Sequence, residues 1–264
     1  MSAVPTNPAP RPTGQPSRRQ CLVAALALAG AWSGVAHGNP TAPASQRRTS
    51  ASWPERLALD YDVSARFSGI PVRASGQLQW LMRSGGQYEA SLAMRLPLVG
   101  GRTQRSRGRL LPDGLQPTEF SDQTRRTRRF ELDWTALRYR YQRDSEAERV
   151  GPLQTGTQDR LSLFFELARR LQRQTPVPDT LWSVPVLGPS GVQAWTLRLR
   201  ALEQIQTPAG PLAAWRLERH DTQPDDSRLS LWLAEAVHYL PVRILLQEPD
   251  GDWADQRLQR LPAA

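Results

Sequence analysis

The sequence predicts a mainly β protein in which a curved antiparallel sheet, a half-barrel or incomplete barrel, wraps one amphipathic helix. Three observations predict it. From residue 55 onward most segments alternate apolar and polar residues with period two, Gly, Pro and Asp-rich turn signals recur between them, and only residues 159–172 show helical spacing. A flat sheet could not cover both its own apolar face and that of the helix, so curvature follows. A β-sandwich is the alternative the strand pattern leaves open.

Leu57, Leu59, Tyr61, Val63, Ala65 and Phe67 alternate with polar or small residues and define the first strand. Gly69-Ile70-Pro71 turns the chain into Val72, Ala74, Gly76, Leu78, Trp80 and Met82. Ser84-Gly85-Gly86-Gln87 turns it again into Tyr88, Ala90, Leu92, Met94 and Leu96, so three strands form a meander. The fourth strand puts Arg105, Arg107 and Arg109 on one face and Ser106, Gly108 and Leu110 on the other. After Leu111-Pro112-Asp113-Gly114 come a strand over 116–121, one carrying Arg126, Arg128, Phe130, Leu132 and Trp134 on one face, and one carrying Leu137, Tyr139 and Tyr141.

The period then changes. Leu161, Phe164, Phe165, Ala168 and Leu171 fall on one helical face, Arg160, Glu166, Arg169, Arg170 and Arg173 on the remaining surface, and Thr157 or Asp159 is the N-cap. Beyond Pro176, strands are expected over 181–187, 195–201, 212–220, 229–233, 242–246 and 253–258, separated by turns such as Thr207-Pro208-Ala209-Gly210 and Pro249-Asp250-Gly251-Asp252.

Ahead of this β-rich region, expected as a single domain over 55–264, residues 1–38 read as an export signal with a Pro-rich lead and 39–54 as a disordered linker. Arg18 and Arg19 precede an apolar run of about 14 residues, shorter than the roughly 20 a membrane span needs, and Ala36-His37-Gly38 offers small residues for cleavage. Ser17-Arg18-Arg19-Gln20-Cys21-Leu22 also resembles the twin-arginine motif, but Cys21 and Val23 depart from it, so the general secretory route is favoured. Arg19-Gln20 before Cys21 is no lipobox. The mature protein is therefore expected in the periplasm, without a lipid anchor or transmembrane span.

Cys21 is the chain's one cysteine, so a mature domain beginning near residue 39 has no intramolecular disulfide and no thiolate metal site. All 34 basic residues are arginine. Without Arg11, Arg18 and Arg19, 31 arginines face 25 acids, leaving a charge of about +6. In a periplasmic setting this points to anionic envelope material rather than nucleic acid. His220 and His238 are too few for a metal centre, no cofactor loop follows Gly85-Gly86 or Gly100-Gly101, and no Gly-x-Ser-x-Gly occurs.

Several motifs in order resemble a bacterial exported family, domain of unknown function 3108. They are Tyr61-Asp62-Val63; Arg105-Ser106-Arg107-Gly108 followed by Asp113-Gly114-Leu115-Gln116-Pro117; Thr157-Gln158-Asp159-Arg160-Leu161-Ser162; and Leu231-Trp232-Leu233 followed by Leu240-Pro241-Val242-Arg243. The resemblance spans most of residues 55–260 and implies no reaction, since the family has none assigned. A curved sheet around a helix also looks like the periplasmic lipoprotein chaperones of the Lol pathway, a likeness of fold only.

The functional expectation is an exported, non-enzymatic envelope protein that binds an apolar or lipid-like ligand in the curved sheet, with Trp80, Trp134 and Phe164 as lining candidates. The alternative is an envelope interaction module whose working surface is the arginine ladder Arg105, Arg107 and Arg109, facing an anionic partner. An enzyme would need carboxylates such as Asp122, Asp133 or Asp159 to converge in a cleft. Asp159 is instead assigned to the helix cap.

Overall fold

Strand formation follows the period-two pattern. The computed structural model describes residues 53–96, 100–220 and 222–262, so the expected signal and all but the last two residues of the linker lie outside the described residues. The elements are β1 (Arg56–Phe67), β2 (Ile70–Met82), β3 (Gln87–Leu96), β4 (Gly100–Leu111), β5 (Gly114–Gln123), β6 (Thr127–Asp133), β7 (Arg138–Arg143), β8 (Arg149–Pro152), α1 (Ser162–Arg173), β9 (Leu181–Gly188), β10 (Gly191–Thr207), β11 (Gly210–Arg219), β12 (Arg228–Leu233), β13 (Pro241–Gln247) and β14 (Trp253–Leu258).

All fourteen strands join one antiparallel sheet in the order β8-β7-β6-β5-β4-β3-β2-β1-β14-β13-β12-β11-β10-β9. Two meanders meet where β1 pairs with β14, Tyr61 opposite Leu258. Strand pairing does not close the sheet: β8 and β9 are its edges. The chain between β8 and α1 covers the β9 edge, because the Gln158 carbonyl accepts the Leu187 N–H and the Gln158 N–H donates to the Pro185 carbonyl, both at 2.8 Å. An edge that would otherwise template association is thereby occupied.

The inner face carries the core. Leu59 and Tyr61 of β1, Leu78 and Trp80 of β2, and Tyr88 of β3 are all buried, as are Leu161, Leu163, Phe165, Leu167 and Leu171 on the helix side. Trp80 stacks on Tyr88 with centroids 5.0 Å apart and meets Phe165 at 4.6 Å. Each such ring pair adds about 0.5–1.5 kcal/mol beyond its buried area. Backbone anchors hold α1 at the end of the sheet where β4 turns into β5: Arg173 donates to the Pro112 carbonyl, and the Glu166 carboxylate accepts the Leu115 N–H.

Several local expectations are corrected. Glu166, placed by its spacing on the exposed face of the helix, is buried because Leu115, at the start of β5, presents an N–H to it, and Arg170 completes its pairing at 3.0 Å. Leu137 is an exposed turn residue with φ of 50°, not a strand position, and Trp134 lies in the same turn beyond β6. β8 was not foreseen, since Arg149–Pro152 offers Val150 alone as an apolar residue and hence no alternation. The helix proper begins at Ser162 rather than Asp159. Trp232 faces outward from β12, covered by the guanidiniums of Arg216 and Arg243 at 5.4 and 4.3 Å from its ring, which is why that strand is buried on both faces.

Candidate ligand site on the inner face of the sheet

The inner face is graded along its length. At the helix end the inward residues are sealed by Trp80, Tyr88 and Phe165. At the opposite end, where β1 turns into β2 and β3 toward β4, inward positions of the same phase are only partly covered: Phe67 on β1, Ala74 on β2, Met94 on β3, Leu246 on β13 and Ala254 on β14. The register lines up Leu258, Tyr61, Gly76, Met94 and Arg102 across five neighbouring strands. Gly76 is buried in that row, with Tyr61, Val63 and the Gln256 Oε1 packed at 3.4–3.5 Å from where its Cβ would lie, and that Oε1 is buried without a hydrogen-bond partner.

Three neighbouring strands interrupt this apolar surface with charge. Arg102 shares the inward phase of Ser106, Asp122 that of Phe120, and Arg128 that of Phe130. Asp122 stands directly opposite Arg128 in the β5–β6 register, with Arg102 one step along β4. Arg102 donates through Nε and Nη2 to the two Asp122 oxygens at 2.7 and 2.9 Å, and Arg128 Nη1 lies 3.5 Å from Oδ2. Asp122 is only 6% exposed at its side chain, so two guanidiniums share one nearly buried carboxylate.

A second polar cluster is enclosed at the helix start. Asp159 Oδ1 accepts the N–H groups of Leu161 and Ser162, each at 2.8 Å, while the Ser162 hydroxyl accepts the Asp159 N–H at 2.9 Å. This reciprocal arrangement is a capping box preceding an irregular first turn. Asp159 Oδ2 accepts the Ser106 hydroxyl, which also contacts the Tyr88 hydroxyl at 3.0 Å. Burial pushes the Asp159 carboxyl above the usual aspartate range, against the pull of its hydrogen-bond donors. Desolvation likewise raises Tyr88.

The expected lining residues are separated. Trp80 is a core ring whose Nε1 donates to the Pro54 carbonyl. Phe164 is buried, but its neighbour Phe165 is the ring against Trp80. Trp134 donates through Nε1 to the Pro117 carbonyl and lines an open outer groove of about 600 Å³ with Arg109, Glu119, Glu131, Arg138 and Arg140. The arginine ladder is outward and exposed as its phase requires. Arg107 lies between Glu89 and Glu119 at 3.6 and 3.7 Å, whereas Arg105 stands opposite Ser91 and Ser121.

The acids considered for catalysis occupy separate settings: Asp122 faces arginines, Asp133 accepts the turn N–H groups of Thr135 and Ala136, and Asp159 accepts the N–H groups of Leu161 and Ser162 in the turn ahead of α1. His220 contacts Arg198 at 2.7 Å, and His238 ends a short 3-10 turn in the left-handed region. Sequence reasoning missed the Arg102–Asp122 pairing. The signal within reach was Arg128, which shares a face with Phe130 and Leu132.

A family model described as protein of unknown function (DUF3108) matches residues 60–259. The chain belongs to the DUF3108 family. No curated protein matches this DUF3108 chain. Among solved structures it is similar to a β-barrel-like protein of domain of unknown function DUF1849 from Brucella abortus, with 12% identity, a TM-score of 0.49, and coverage of 77% of this chain and 95% of that one. Among the described residues of the DUF3108 chain, no helix is long and apolar enough to cross a membrane.

Proposed function

We propose that this protein is a non-catalytic binding protein of the bacterial cell envelope, exported to the periplasm, that holds an apolar or lipid-like ligand against the inner face of its sheet. The observation that carries the reading is the gradient along that face: α1 and the Trp80 stack fill one end, while Phe67, Ala74, Met94, Leu246 and Ala254 remain partly uncovered at the other. Covering that surface with an aliphatic chain gains about 25 cal/mol per Å2 of apolar area removed from water. The lining residues in this reading are those five rather than Trp80 and Phe164, which the core already uses.

The test is to purify the protein from envelope extracts without detergent and analyse its bound material by organic extraction and mass spectrometry. A stoichiometric lipid or other long-chain compound supports the reading. Protein that arrives empty and binds no long-chain probe on titration refutes it.

One observation favours the interaction-module reading as a second possibility. The outer row Ser91, Arg105, Ser121, Arg129 and Gln142 contains two guanidiniums and no carboxylate. Replacing Arg105, Arg107 and Arg109 with Gln should then weaken attachment to anionic vesicles in a salt-sensitive manner; unchanged attachment at low salt counts against it.

A further inference from the structure

We propose that the outer groove beside Trp134 binds a neutral saccharide, making it a second ligand site on the opposite face of the sheet from the inner surface. The site does not depend on the inner-face reading above, and its test uses different probes.

One wall is built by a turn. Asp133 Oδ1 accepts the N–H groups of Thr135 and Ala136 at 2.9 Å each, so the chain bends directly beyond β6 and carries Trp134 out of the inward phase of Phe130 and Leu132. The Trp134 Nε1 donates to the Pro117 carbonyl at 2.7 Å, which fixes the ring against β5 and uses the one polar atom of the indole. The half-buried ring therefore has only its apolar surface to offer. That surface borders a groove of about 600 Å³, within the range of small-molecule sites.

Register supplies the rest of the lining. Glu119, Glu131, Arg140 and Val150 stand directly opposite one another across β5 to β8, and Asp133 faces Arg138 two residues along. All six are exposed on the outer side. Arg140 donates to Glu131, and Arg109 adds a further guanidinium from β4. Outward side chains two residues apart on one strand are about 6.7 Å apart, so the acids of β6 and the arginines of β7 form a grid of acceptors and donors.

This grid decides the ligand class. Guanidiniums only donate and carboxylates only accept, so an ion of either sign meets repulsion along with attraction. An aliphatic chain would strip water from these charged groups and return no hydrogen bond. A hydroxyl both donates and accepts, so a neutral polyhydroxylated molecule pairs with either partner. A sugar ring also has an apolar C–H face to lay on the indole, as Trp134 requires.

The experiment titrates the purified protein with maltotriose, cellotriose and chitotriose, and with trigalacturonate as the charged comparison, at about 0.15 M salt. Calorimetry gives the affinity. The Trp134 indole N–H signal, assigned by its loss in Trp134→Phe, reports the place. At least one neutral trisaccharide should shift that signal with a Kd of about 0.1–1 mM, and trigalacturonate should bind no more tightly. Trp134→Leu should weaken binding about tenfold, whereas Trp134→Phe should keep most of it. Both variants lose the bond to Pro117, so a merely structural role would weaken them alike.

No shift of the indole signal by any neutral trisaccharide up to about 20 mM overturns the proposal. So does tighter binding of trigalacturonate, or equal affinities for Trp134→Leu and Trp134→Phe. Should the Trp134 variants not fold, Glu119→Ala and Arg138→Ala, both at exposed positions, should each weaken binding at least about threefold; unchanged affinity in both overturns the site. None of these outcomes bears on the inner-face reading, which stands or falls on long-chain probes.

Discussion

The Ser106 hydroxyl donates to Asp159 Oδ2 at 2.6 Å across 53 residues of sequence, tying the middle of β4 to the start of α1. The other carboxylate oxygen accepts the Leu161 and Ser162 N–H groups and so closes the turn that leads into α1. One buried side chain therefore fixes both where the helix begins and which strand it begins against. Asp159→Ala removes these acceptors and strands buried N–H groups, so the expected cost is about 2–4 kcal/mol, above that of an exposed cap. Asp159→Ser keeps a single oxygen, which can serve the helix or Ser106 but not both, and recovers only part of the loss. Urea unfolding of the two variants and of Ser106→Ala measures this; equal midpoints for Asp159→Ala and wild type would contradict it.

The same carboxyl gives a pH signature. Burial raises its pKa in the folded protein, so the native state holds the proton at pH values where the unfolded chain, near the ordinary ~3.9, has released it. Its contribution is complete below that ordinary value and is lost as pH rises through the native pKa. Asp159→Asn cannot titrate. The stability difference, Asn variant minus wild type, should therefore grow in favour of the variant as pH rises from about 4 toward neutrality, read from urea midpoints. A difference that stays flat with pH contradicts the raised pKa.

At Gly108 the β4–β5 register slips by one residue, Arg107 pairing with Glu119 and Gly108 with Pro117. A Cβ at Gly108 would lie 2.2 Å from the Gln116 carbonyl oxygen and 2.6 Å from Pro117 Cα. Both are backbone atoms and cannot swing aside, so Gly108→Ala must open the bulge. The expected loss is about 1–3 kcal/mol. Gly69→Ala provides the comparison, since no atom lies within 4 Å of its added Cβ and only its φ of 93° opposes it. Thermal melts that leave Gly108→Ala unchanged would show the register is looser than described.

Much of the fold was legible because inward and outward residues alternate so strictly along β1 to β4: Tyr61, Leu78, Trp80 and Tyr88 all fall on the face their phase assigns. What the phase could not give was pairing between distant strands. Glu166 reads as exposed until Leu115 is placed beside it, and Trp134 reads as inward until the chain turns beyond Asp133. The inward charged trio is a register effect of the same kind. Arg128 has the phase of Phe130, yet its partner Asp122 becomes visible only once β5 is laid against β6, and Arg102 only once the bulge sets β4 against β5. Period two reports which face a side chain takes, whereas a site needs to know its neighbours.

The central claim, that a ligand occupies the inner face, is tested most directly by thiol protection at two adjacent residues of β3. Met94 points inward and Ala93 outward, and outside residues 1–38 the chain has no cysteine of its own. Met94→Cys and Ala93→Cys, each made in protein lacking residues 1–38, are treated with a soluble maleimide with and without dodecanoate. The account predicts that the ligand slows modification at position 94 several-fold and leaves position 93 unchanged. Equal rates at both positions, with and without ligand, would contradict it.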